Sequence, residues 1–164
     1  MLLRSNSNSR LPQNEFIGVY KLLAVRVTTT HQQEPQETLS EIQGAVFGTG
    51  PDALEHSVVS QYRQVSHHQL LYEPALVTNG TDGVVEIVLN ERINKYAESE
   101  RDMIRATEQV LGLVKEPLDS FADRILFCLP DGSIPPDVWA LGQFPGRVGT
   151  VVRIAVGSNI PYYS

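Results

Sequence analysis

"VYKLLAVRVTT", Val19 to Thr29, carries apolar side chains on both of its alternating faces through its middle. A strand with one wet face alternates apolar and polar residues, whereas a strand without alternation is buried on both sides. This one therefore belongs at the centre of a sheet. "RILFCLP", Arg124 to Pro130, has the same character and stops at Pro130. Parallel strands are typically buried in this way, and they need long, usually helical, crossovers.

The intervening sequence supplies helices. Thr38 opens "TLSE", a capping-box pattern, and Leu39, Ile42 and Val46 keep helical spacing up to the punctuation Gly48-Thr49-Gly50-Pro51. Asp52 opens "DALE", a second such pattern. Leu54, Val58, Tyr62 and Val65 then form one stripe, which predicts an amphipathic helix running on from Asp52. Ser99 opens "SERD". Met103, Ile104, Thr107, Val110, Leu111 and Val114 follow as another stripe, with Pro117 after its end. "QLLYEPALV" and "GVVEIVLN" read as strands, and "TNGTDG" between them predicts an antiparallel hairpin. "DVWALGQF" and "VGTVVRIAV" predict two more strands. The order is strand, helix pair, two strands, helix, strand and two strands, which predicts an α/β layer structure with a mixed sheet. The 164 residues, 41% of them hydrophobic, suit one domain over 18–164. Residues 1–17 are polar and read as a disordered or poorly ordered lead-in. They have no apolar core of the signal-peptide kind.

The chemistry is sparse. A net charge of −6 with scattered Lys and Arg excludes the clustered basic surface that nucleic acid requires. No apolar run reaches membrane-spanning length. "GTGPDA", Gly48 to Ala53, mimics a dinucleotide fingerprint, but that pattern needs a strand before it, and the segment before it here reads as helix. His67 and His68 are adjacent, so on a strand they point to opposite faces and do not share a metal. His31 and His56 are isolated. There is no H-E-x-x-H, C-x-x-C or G-x-S-x-G. The single cysteine, Cys128, is open to four readings: nucleophile, metal ligand, half of a missing disulfide, or filler. It meets His67 or His68 only through the fold, and its neighbours Phe127 and Leu129 raise a thiol pKa rather than lower it. Asn79-Gly80-Thr81 matches the glycosylation triplet, a pattern common by chance.

The order of motifs carries more. "KLLAVRVTTT", "AVFGTG", "VVSQYRQVSHHQLLYEPA", "GVVEIVLN" and "FADRILFCLPDGS" follow one another. Together they resemble the front half of a gametolysin-type (autolysin) zinc metallopeptidase domain, a family related to the metzincins. That family has a strand like L-x-V-R-V, then a segment ending in an F-G turn, then a helix ending in S-Q-Y-x-x-C-S-x-x-x-L. Later it has A-D-x-x-x-Y/F-C-L-P-P-G. Ser60, Gln61, Tyr62, Ser66 and Leu70 match the earlier long motif. Ala122, Asp123, Phe127, Cys128, Leu129, Pro130 and Gly132 match the later one. The resemblance covers residues 20–133 and rests on order and spacing, since each motif alone is weak. After Ser133 it fades, with "WALGQF" where the family has a strand and "NIPYYS" where it has an S-x-Y-N-like stretch.

The resemblance implies a zincin-like N-terminal subdomain: a mixed, mostly parallel twisted sheet with helices, its active-site helix absent. It implies zinc and a protein or peptide substrate, and it suggests a secreted, extracellular setting. In the family two histidines of H-E-x-x-H bind zinc and the glutamate activates water. This chain has none of them, so it offers no catalytic residue and no metal ligand, and it is expected to be inactive alone. The alternative is a non-catalytic binding or interaction domain that retains the enzyme's fold. A further option is an enzyme built on Cys128 and a histidine. Three structural expectations follow from the resemblance. Substrate would lie by β-augmentation against an edge strand after Pro136. An apolar sheet face, lined by alternate residues of "LLAVRV" and "RILFCL", would be bare and available for association. Finally, the family's two motif cysteines are expected to form a disulfide. Val65 takes the place of one of them, so it would fill the space beside Cys128, at about 4–5 Å between Cβ atoms.

Overall fold

The computed structural model describes residues 17–31, 34–77, 82–93, 96–113, 115, 117–130, 133, 140–142 and 150–152. Strand β1, Gly18–Thr29, is an interior strand, paired on both sides, of a sheet with six strands among the described residues. The other elements are α1 (Leu39–Phe47), α2 (Val58–Val65), β2 (Leu70–Pro74), β3 (Val84–Leu89), α3 (Tyr96–Val110), α4 (Leu118–Phe121), β4 (Arg124–Cys128), β5 (Ala140–Gly142) and β6 (Thr150–Val152). The strands run in the order β2-β1-β4-β6-β5, and β3 pairs β1 as well. Every pairing is parallel except that of β5 with β6. The result is an open, mostly parallel α/β sheet.

The expected hairpin of β2 and β3 is not formed. Both strands run parallel to β1 and lie end to end along one side of it: Gly18 to Leu22 pair with Leu70 to Pro74, and Ala24 to Thr29 pair with Val84 to Leu89. Ala75 N–H donates to the Leu22 carbonyl (2.9 Å) and Ala24 N–H to the Gly83 carbonyl (2.7 Å). Gly83 N–H donates to the Ala75 carbonyl (3.0 Å), closing the base of the intervening segment. The chain leaves the sheet at Ala75 and rejoins it at Gly83 in the same direction. Turn residues bend the chain locally, but pairing to the long β1 sets strand direction. Residues 78–81, which include Asn79, lie outside the described set.

Helices cover both faces. Leu23, Val25 and Val27 pack with Val85, Ile87, Ile125 and Phe127 beneath Met103 of α3 and Leu118 of α4. Leu22 and Ala24 face the other way, with Val84, Leu126 and Cys128, beneath Ile42, Val46 and Phe47 of α1. The bare face expected along "LLAVRV" and "RILFCL" is therefore absent. Leu22 through Val25 are at most 6% exposed, as are Ile125 through Leu129. Two crossovers on opposite faces explain this, because each supplies its own apolar stripe.

Helix ends follow their caps. Thr38 caps α1: its hydroxyl accepts from Glu41 N–H (3.3 Å), and the Glu41 carboxylate accepts from Thr38 N–H (2.7 Å). Gly48, with φ 68°, ends the helix in the left-handed conformation that glycine adopts freely. The second helix does not start at Asp52. Its N-cap is Ser57, whose hydroxyl accepts from Ser60 N–H (3.2 Å). The backbone before it is held against α1, where Leu54 N–H donates to the Gly44 carbonyl (3.3 Å). A Cβ on Gly44 would lie 1.9 Å from the Asp52 carbonyl oxygen, so the close approach depends on glycine. Helix α3 begins at Tyr96, so Ser99 sits inside it rather than capping it. It closes as a Schellman motif: Leu113 N–H donates to the Glu108 carbonyl (2.8 Å) and Gly112 N–H to that of Gln109 (3.1 Å). Of its stripe, Met103 and Thr107 are fully buried and Val110 is exposed, and Val114 lies outside the described residues.

Candidate functional site

A charged residue inside the apolar run of β1 draws the polar chemistry of the sheet together. Arg26 stands level with Glu86 on β3 and with Cys128 on β4. Side chains level on neighbouring strands share a face, so the three form a row across the face that α1 covers further back. Only 11% of the Arg26 side chain is exposed, so its guanidinium needs partners. It pairs with the Glu86 carboxylate and lies 3.6 Å from that of Glu34. Nε donates to the Glu37 carbonyl and a terminal nitrogen to the Pro35 carbonyl, each at 2.8 Å. Arg26 thus pins the segment between β1 and α1 onto the sheet. On the same face Thr28, also buried, donates its hydroxyl to the Ile87 carbonyl (3.1 Å).

Cys128 lies at the inner end of this row, 4% exposed, among Leu22, Ala24, Ile42, Val46, Phe47, Val84 and Leu126. Burial pushes its thiol up from 9.0 to about 12. The Glu37 carboxylate adds to the rise and the Arg26 guanidinium opposes it. At neutral pH such a group is held as the thiol, whereas the thiolate is the nucleophile. The lowering by Arg26 is outweighed by burial, so the thiol is not activated. The row is a structural ion cluster beside a protonated, packed cysteine.

The other sequence-singled residues do not assemble with it. His67 and His68 are exposed and lie past the end of α2, not on a strand. Their backbones are left-handed, with φ 52° and 64°. His68 N–H donates to the Arg63 carbonyl (2.8 Å) and His67 N–H to the Gln64 carbonyl (3.1 Å), so this pair closes the helix. His31 and His56 are exposed. No group of three His, Cys, Asp or Glu that could hold a metal occurs among the described residues. "GTGPDA" follows helix α1 and forms the turn toward α2, not a strand-to-helix phosphate loop. Val65 is 74% exposed while Cys128 is buried, so Val65 does not fill a space beside Cys128, and the expected juxtaposition fails.

An aromatic cluster that sequence reading did not single out lies at the amino-terminal end of the sheet. Tyr72 stands level with Tyr20, their ring centroids 6.2 Å apart. Tyr62 of α2 meets Tyr72 edge-on at 5.5 Å. The Arg124 guanidinium lies 5.5 Å from the centre of the Tyr20 ring, within cation–π range. Burial raises the Tyr72 hydroxyl pKa, while Arg124 acts against the rise.

A scan against family models finds no match to this chain, and neither does a search of curated proteins or of solved structures. Among the described residues no helix is long and apolar enough to cross a membrane.

Proposed function

We propose that this chain is the N-terminal portion of a gametolysin-like zinc metalloendopeptidase domain, inactive alone because it carries no H-E-x-x-H. The observation that carries the reading is the pairing of two of its motifs. "LAVRV" and "FCLP" lie about a hundred residues apart, yet they are adjacent central strands in register, Leu22 to Arg26 against Arg124 to Cys128. A resemblance built on motif order gains weight when the motifs meet in space. The edge of the sheet adds support. Strand β5, which follows Pro136, lies at one edge and runs antiparallel to β6. Its outer side has no strand partner among the described residues, the place where the resemblance puts an extended substrate. Zinc, its two histidines and the water-activating glutamate would come from sequence not contained in this chain.

The experiment is to read the transcript beyond the Ser164 codon, express the longest translated product, and assay zinc and peptide hydrolysis. The expected result is an H-E-x-x-H within a few dozen residues, about one zinc per chain, and a chelator-sensitive peptidase. A translated transcript that stops without such a motif overturns the proposal.

One observation favours a second reading, a self-contained binding domain that has kept the fold without the chemistry. The faces of β1 and β4 are already covered, so their burial does not depend on a further helix. This reading expects the 164-residue chain to be monomeric and heat-stable, and aggregation of the pure chain through an apolar surface would count against it.

A further inference from the structure

We draw no further inference here: the strongest candidate, the exposed face of α2 with Tyr62 and Val65 beside the Tyr20–Tyr72–Arg124 cluster, is an unpartnered surface, and nothing in the structure shows what covers it.

Discussion

On one face of β1, Leu23, Val25 and Val27 lie in an unbroken apolar layer beneath α3 and α4. On the other, Leu22 and Ala24 meet α1, but the next two side chains are Arg26 and Thr28. Helix α1 has nine residues and supplies apolar cover only as far as Ala24. Beyond that point the face is closed by the segment containing Glu34, Pro35 and Glu37, and a backbone segment brings carbonyl groups that need donors. Arg26 supplies two of them. The difference teaches that a strand buried on both faces need not be apolar on both. Where the cover is a helix, the strand presents hydrocarbon, and where it is a loop, the strand presents a cation.

The comparison can be broken in four ways, from the largest effect to the smallest. Phe127 is fully buried in the apolar layer, so Phe127→Ala should cost about 3–5 kcal/mol. Urea denaturation measures this, and a cost below that of any change on the polar face would reverse the ranking. Arg26→Met keeps the stem but removes the donors to the Pro35 and Glu37 carbonyls, at a cost of about 1–3 kcal/mol. Hydrogen exchange should quicken first around Glu34 to Thr38, and uniform quickening across the sheet would contradict the pinning role. Thr38→Ala dissolves the capping box that starts α1 and should cost about 1 kcal/mol.

Cys128 gives the smallest effect near neutrality and a distinctive one in alkali. Its folded pKa lies above the unfolded value, so the protonated thiol contributes stability that is fully present below pH 9.0. As pH rises from there, the unfolded chain releases the proton first, and the contribution is lost progressively up to about pH 12. Cys128→Ala should flatten that part of the stability–pH curve. In the native protein iodoacetamide should leave the thiol unmodified at pH 8 and label it only on unfolding. Rapid native labelling would show that the residue is less enclosed than its packing implies.

Much of this architecture was legible from the residues. The apolar runs at Leu22 to Val27 and Ile125 to Leu129 marked the two central strands, because burial on both faces leaves no polar alternation. Thr38 and Glu41 marked the start of α1, because a capping box is a local arrangement and needs no tertiary knowledge. The failures share a cause. "TNGTDG" has the chemistry of a reversal, but strand direction was decided by β1, far away in sequence. The "DALE" pattern resembled a cap, but its backbone was committed to Gly44. The row of Glu86, Arg26 and Cys128 depends on strand order and register, neither of which a single sequence displays. Its one local sign was an arginine inside an apolar run.

The interrupted edge beside β1 has an architectural consequence. The hydrogen bond between Gly83 and Ala75 closes the base of the excursion, and β2 and β3 are each anchored to β1 independently. The register of each of these strands is therefore fixed by its own contacts with β1. One long strand thus serves as a common template on which two separate strands, far shorter than itself, take their alignment.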